Sequence, residues 1–293
     1  MTLILSRRSL MIGASLAAVC RPIWAAGTGV PDRLRELEAS VGGRLGVAAL
    51  DMESDRRIDY RSANLFPVCS TYKLLLVGAV LGRVDRGREQ LDRAIKFGQA
   101  DMQDYAPNAK IFLPKGEMTV AEACAGTMID SDNTMANLLL SSIGGAGALT
   151  LFARELGDKT THLDRAEPFV NEATPGDARD TTSPAAMLND LGVLLLQNAL
   201  SQQSRDLLAD WMVKSHTGQA KLRAGLPADW KVGDKSGMGE HGSTNNIAIA
   251  WPPGRKPLLI SAYLTESDAS LAERNKALSE VAKLVAAELV SGS

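Results

Sequence analysis

The chain has 293 residues, of which 45% are hydrophobic and 23% charged, with a formal net charge of −2 and a pI near 6.0. That length supports a substantial core, in one large domain or two interleaved ones. Charges of both signs are scattered with no basic surplus, which speaks against nucleic acid or an anionic membrane surface as partner and leaves a small molecule as the expected one.

At the N-terminus, Arg7 and Arg8 precede an apolar run from Leu10 to Cys20 and the small residues Ala25 and Ala26. Residues 1–25 therefore read as an export signal that takes no part in the fold. Ser6-Arg7-Arg8-Ser9-Leu10 resembles a twin-arginine signal, which engages the machinery that exports folded proteins. An ordinary secretory signal with two basic residues is the alternative. Either way the apolar run is too short for a permanent transmembrane anchor, and the expected location is periplasmic or secreted. Cys20 leaves with the signal or carries a lipid, against which Val19 argues. Cys69 and Cys124 are expected to be buried free thiols, although export would permit a bridge.

After Pro31, the spacing of Leu34, Leu37 and Val41 predicts an amphipathic helix that stops at Gly42-Gly43. Strands follow near Leu45–Asp51 and Arg57–Tyr60, and the polar turn Met52–Asp55 makes them a hairpin. From Ser70 to about Met212 the pattern is helical. Thr119 and Glu122 form a capping box, Ser183-Pro184 starts a helix, and Gly144-Gly145 and Gly157 are stops. Strands return near Trp230–Asp234, Asn246–Trp251 and Leu258–Leu264, and a helix over Leu271–Leu289 closes the chain. Strands at both ends with helices between them predict one sheet assembled from both termini. The expected layout is a discontinuous α/β domain (26–65 and 213–293) with an all-helical domain (66–212) inserted, and a cleft where they meet.

Four motifs carry chemistry in this order: Ser70-Thr71-Tyr72-Lys73, Ser131-Asp132-Asn133, Glu167-Pro168-Phe169-Val170-Asn171 and Lys235-Ser236-Gly237. Ser70 and Lys73, three positions apart on a helix, share a face, so an amine is within reach of the hydroxyl that it must activate. Pro67 forces an extended entry, which makes Ser70 a first-turn residue where the helix N-terminus favours developing negative charge. Leu74, Leu75, Val77, Val80 and Leu81 surround Lys73 with apolar positions that disfavour its charged form. Pro168 turns Glu167 away from helical geometry. Arg165 and Asp180 are placed to pair and close the segment 165–180 as an Ω-loop. Each motif alone is common in proteins of this size. Their order is what is specific, and S-x-x-K followed by S-D-N and K-[ST]-G marks an acyl-transfer site.

On these motifs the chain resembles a class A serine β-lactamase over essentially its whole mature length. The resemblance implies the serine β-lactamase/penicillin-binding fold: an antiparallel sheet flanked by N- and C-terminal helices, with the helical domain inserted. It implies hydrolysis of the β-lactam ring of penicillins and cephalosporins through a Ser70 acyl-enzyme, and so antibiotic resistance. Ser70 would be the nucleophile, Lys73 a base or proton relay, and Ser131 the proton donor to the ring nitrogen. Glu167 and Asn171 would hold the water that releases the product, and a cis Glu167-Pro168 bond is implied with them. Asn133 would contact the substrate's side-chain amide, Tyr105 would sit at the cleft rim, and Asp132 would be structural. On a strand edging the cleft, Lys235 and Ser236 would bind the substrate carboxylate and Gly237 would allow close approach, and the amides of Ser70 and Met238 would form the oxyanion hole. No cofactor or metal is implied, and His162, His216 and His241 lack ligand spacing. A monomer is expected.

Three positions depart from common patterns in this family. Thr244 stands where many members have a carboxylate-supporting arginine, and Lys221 is the candidate replacement, without the planar fork. Gly239 removes the partner that Cys69 has in one carbapenem-hydrolysing branch, and Val77 removes a partner of Cys124. Two alternatives share the Ser–Lys chemistry. A penicillin-binding D-Ala-D-Ala peptidase stalls once acylated by a β-lactam, and a sensor domain stays acylated and is attached to a membrane segment. Glu167 with Asn171 argues against both.

Overall fold

The computed structural model describes residues 29–290, so the export-signal reading and Cys20 lie outside the described residues. The first helix, α1 (Val30–Val41), carries Pro31 in its first turn and buries Leu34 and Val41. It stops at Gly42 and Gly43, both with positive φ, and a Cβ at Gly43 would lie 2.2 Å from the Thr265 carbonyl oxygen. Only glycine fits that turn, and the turn delivers the chain into β1 (Arg44–Asp51) and its hairpin partner β2 (Arg57–Tyr60).

A two-residue strand β3 (Phe66–Pro67) leads into α2 (Tyr72–Asp85). Then come β4 (Ala94–Lys96), α3 (Ala109–Phe112), β5 (Glu117–Thr119), α4 (Val120–Ile129), α5 (Asn133–Ile143) and α6 (Ala146–Glu155). A long loop reaches β6 (Thr181–Thr182), followed by α7 (Pro184–Leu196), α8 (Gln202–Val213) and the short α9 (Leu222–Gly225). The strands β7 (Lys231–Met238), β8 (Thr244–Trp251) and β9 (Leu258–Thr265) precede the closing helix α10 (Leu271–Leu289). The predicted caps form: Thr119 and Glu122 cap each other's backbone at α4, and Ser183 caps α7 ahead of Pro184.

The main sheet has the order β2-β1-β9-β8-β7 with antiparallel neighbours throughout. β1 therefore pairs with β9 from the far end of the chain. Both faces of the sheet are covered. Leu45, Val47, Ala49, Ile260, Ala262 and Leu264 pack with α1 and α10, while Ala48, Ile247, Ile249, Leu259 and Tyr263 join the core of the helical layer. On the helical side α2 is buried from Tyr72 through Gly82. A helix apolar all round belongs at the centre of a bundle, where each fully buried leucine contributes about 2 kcal/mol. The helix that carries Lys73 is thus the rigid centre of its layer.

Three features differ from the expected elements. Short ladders β3–β6 and β4–β5 interrupt the helical stretch, because two- and three-residue strands have too few positions to show a period of two. β7 is one strand from Lys231 to Met238 rather than a strand that ends near Asp234, so Lys235-Ser236-Gly237 lies on a strand as expected of the motif, its polar and glycine residues held by pairing with all of β8. Ser70 sits in a 3₁₀ turn, Cys69–Thr71, ahead of α2 rather than in the α-helix itself.

One buried carboxyl is unrelated to the four motifs. Asp190 of α7 is fully buried, and neither of its oxygens finds a donor among the described residues. Burial first, then the neighbouring Asp158, pushes its pKa well above the ordinary carboxylate value. The folded chain therefore holds a proton that the unfolded chain releases, so stability falls as pH rises from the unfolded pKa through the folded one. Asp190→Asn is expected to gain about 1 kcal/mol at neutral pH, with the gain shrinking toward pH 4, as read from urea unfolding at several pH values. An equal effect at every pH would refute the protonated carboxyl.

Candidate active site

The site assembles where β7, the Ser70 turn and the loop before β6 meet. Cys69 has φ of 43° and Ser131 of 62°, both in the left-handed region that non-glycine residues avoid. Each directly precedes or carries a motif serine, and such strain persists only where surrounding contacts enforce it. At Cys69 those contacts come from β7. A Cβ at Gly237 would meet the Cys69 Cβ at 3.2 Å and the Ser70 nitrogen at 3.3 Å, so glycine lets the strand press against the turn. At Ser131 the following residue anchors the backbone. Asp132 caps α5 through Met135 N–H and accepts from the N–H groups of Asn108 and Ala109 at 2.9 Å each.

Lys73 and Lys235 converge on Ser131. Lys73 Nζ donates to the Ser131 carbonyl at 2.8 Å, to Ser131 Oγ at 3.3 Å and to Asn133 Oδ1 at 2.7 Å. Lys235 Nζ donates to Ser131 Oγ at 2.9 Å. Both lysines are wholly buried. Burial lowers the pKa of Lys73 although Glu167 pulls it the other way. Lys235 is depressed well below the ordinary lysine value by burial and then by Lys73. Two amines whose charged forms are disfavoured, sharing one hydroxyl, make a path along which a proton can move.

Glu167 is delivered by the loop between α6 and β6, and its peptide bond to Pro168 is cis. Arg165 closes that loop by pairing with the buried Asp180 at 2.6 Å and with Glu172. The Pro67↔Thr181 pair and the Val68 N–H bond to the Asp180 carbonyl at 2.8 Å tie the loop's far end to the entry to Ser70. Glu167 Oε1 stands 2.9 Å from Lys73 Nζ. It accepts from Ser70 Oγ at 3.5 Å and from Tyr72 Oη at 3.3 Å, while Asn171 Nδ2 donates to Oε2. The Asn171 Oδ1 is buried without a partner among the described residues. Ser70 thus contacts Glu167, whereas the Lys73 amine is drawn to Glu167, Ser131 and Asn133.

A cavity of about 270 Å³ is lined by Ser70, Ser131, Asn133, Asn171, Ser236 and Met238, with Tyr105 and Thr217. Tyr105 is half exposed at the rim, and its hydroxyl donates to the Asp130 carbonyl at 3.0 Å. Ser236 Oγ donates to Thr217 Oγ1 at 2.7 Å. Lys221 and Thr244 are buried behind this lining. The Lys221 amine, with its pKa lowered by burial, donates to the Thr217 carbonyl at 3.2 Å, and the Thr244 hydroxyl turns to the Gly242 carbonyl. Cys69 and Cys124 are buried free thiols. Gly239 lies beside Cys69, at the expected place but without a sulfur to pair.

Three contributors carried no signal in the motifs. Tyr72 and Thr217 occupy positions where the residue type alone says nothing. Asn137 lies one helical turn after Asn133, a spacing that could have flagged it. Its side chain makes a reciprocal pair with the Glu167 backbone, Nδ2 to the carbonyl at 2.9 Å and Oδ1 from the N–H at 3.0 Å. Asn137→Ala is expected to lose about 1–3 kcal/mol by leaving both groups unpaired. Hydrogen exchange should then quicken across 165–180 while α2 stays protected. Unchanged exchange in the loop would show that the pair does not hold it.

Among known proteins, the model of the Beta-lactamase enzyme family matches residues 30–289. Beta-lactamase CTX-M-8 of Citrobacter amalonaticus is 40% identical over 277 residues, which is 94% of this chain and 93% of the relative. Beta-lactamase OXY-2 of Klebsiella oxytoca is 40% identical over 263 residues, 90% of each. A solved structure of the last common ancestor of Gram-negative bacteria class A β-lactamase is 54% identical with a TM-score of 0.87, covering 88% of this chain and 98% of the other. The putative class A β-lactamase PenP from Rhodopseudomonas palustris is 48% identical with a TM-score of 0.86, covering 88% and 99%.

Proposed function

The chain belongs to the class A β-lactamases and hydrolyses the β-lactam ring through a serine acyl-enzyme, and we propose that the four motifs divide that reaction as follows. Ser70 Oγ attacks the ring carbonyl and passes its proton to Glu167 Oε1, which Lys73 holds in place and can relieve of that proton. The oxyanion is taken by the amides of Ser70 and Met238. As the C–N bond breaks, Ser131 delivers a proton to the nitrogen and is resupplied along the Lys73–Lys235 path. A water between Glu167 and Asn171 then gives a proton to the carboxylate and attacks the acyl carbon, and Ser70 leaves with a proton restored. Lys235 and Ser236 bind the substrate carboxylate, with Thr217 orienting the Ser236 hydroxyl and Lys221 acting behind it. Asn133 and Tyr105 contact the substrate's side chain. Penicillins and cephalosporins are the proposed substrates, the protein acts as a monomer, and nucleic acid plays no part.

The observation that carries this reading is the buried Glu167 beside Ser70, paired with the half-buried Asn171, whose Oδ1 has no partner among the described residues and is free to hold a water. It separates turnover from permanent acylation. A time course of the purified protein with a chromogenic cephalosporin, following hydrolysis and protein mass together, tests it. Sustained turnover with a transient adduct on Ser70 is expected. A single stoichiometric burst with a lasting adduct would overturn the hydrolytic role of Glu167. The proposed location is the periplasm or the medium, supported by Arg7-Arg8 and the apolar run after them. Replacing both arginines by lysine should stop twin-arginine export and leave ordinary secretion intact.

A further inference from the structure

Tyr72 opens α2 with a side chain that is 1% exposed, and its ring packs in the helical core. Its hydroxyl is the part that core packing does not explain. It donates to Glu167 Oε1 at 3.3 Å, the same oxygen that stands 2.9 Å from Lys73 Nζ. A carboxylate oxygen offers two lone-pair sites. Lys73 and Tyr72 together fill those of Oε1, and Ser70 Oγ is left at the long distance of 3.5 Å. Oε2 is taken by Asn171. Burial, then the charge of Glu167, pushes the phenol's pKa well above its ordinary value, so the hydroxyl stays a donor throughout the working range.

We propose that Tyr72 is a positioning residue that restrains deacylation, because its hydroxyl competes with the hydrolytic water for the Glu167 oxygen that must accept the water's proton. The proposal rests on the reading of Glu167 as the deacylating base. In that step the water's proton goes to Glu167, its oxygen bonds to the acyl carbon, the bond from that carbon to Ser70 Oγ breaks, and Ser70 is reprotonated. A donor parked on Oε1 slows the first of these transfers twice over. It blocks one approach to the oxygen, and it draws electron density from the base. Acylation takes the Ser70 proton through the same Oε1, so the phenol restrains that step as well.

Tyr72→Phe keeps the ring and removes only the hydroxyl. The measurement is the decay of a cephalosporin acyl-enzyme followed by mass after substrate is removed, with kcat/KM and melting temperature alongside. Decay about 3- to 10-fold faster is expected, the range for losing one long hydrogen bond to a charged group. The expected kcat/KM does not fall, since the Ser70 contact survives and the oxygen that takes its proton is freed. Decay that is unchanged or slower in Tyr72→Phe overturns the proposal. The same assay on Glu167→Ala keeps the two readings apart. If that variant decays as fast as the wild type, Glu167 is not the base and both readings fall. If it holds its adduct while Tyr72→Phe decays no faster than the wild type, only the Tyr72 proposal falls. In the double variant the Phe substitution should have no effect, whereas a general loosening of the fold would quicken decay there too.

Discussion

Glu167→Ala is expected to acylate and then stop. The carboxylate is buried against Lys73, Tyr72 and Asn171, and it is the acidic group in contact with Ser70. Removing a positioned general base lowers the step it serves by about 10²- to 10⁴-fold. Mass spectrometry of the variant after mixing with a cephalosporin should show one stable adduct per chain on Ser70, and steady-state kcat should fall by about 10³-fold. Acylation should fall less, because Lys73 and Ser131 remain to move the proton. If Glu167→Ala turned over at the wild-type rate, the water would be activated elsewhere and the role proposed for the Asn171 pair would be lost.

Lys73→Ala should fail one step earlier and should also weaken the fold. Its amine is the hub of the site, bonded to the Ser131 carbonyl and hydroxyl and to Asn133, and 2.9 Å from Glu167. Without it the proton from Ser70 has no relay to the leaving nitrogen, and acylation measured as kcat/KM should drop by about 10³-fold. Lys235 is a poor substitute, since its amine bonds to Ser131 and the Ser236 carbonyl and not to Glu167. Both side chains of the Lys73–Glu167 pair have no solvent exposure. Removing one partner strands a buried charge, which costs about 3–5 kcal/mol. Urea unfolding should register that loss, and Lys73→Ala combined with Glu167→Gln should recover much of it by removing the stranded charge. A double variant no more stable than Lys73→Ala would mean that packing, not charge, explains the loss.

The sequence by itself determined the framework. The spacing of Leu34, Leu37 and Val41 with the stop at Gly42-Gly43, the Thr119–Glu122 capping box and the Ser183-Pro184 helix start are local signals, set by contacts within a few residues. The four motifs were legible for a similar reason, as each needs particular residue types at fixed short spacings. Expecting strands from both termini to share one sheet was a step further, and the β1–β9 register bears it out. What the chain could not disclose depends on groups far apart in sequence whose relation exists only after folding. The left-handed backbone at Cys69 and Ser131 is enforced by β7 and by the cap of α5. The choice of Glu167 over Ser70 as the partner of the Lys73 amine depends on the Ω-loop reaching the core. So do the Asn137 clasp, the Tyr72 bond and the Thr217–Ser236 pair. An Asn, a Tyr and a Thr are ordinary residues on a helix or loop, and only the tertiary structure brings a second polar group close enough, out of water, to give each one a task.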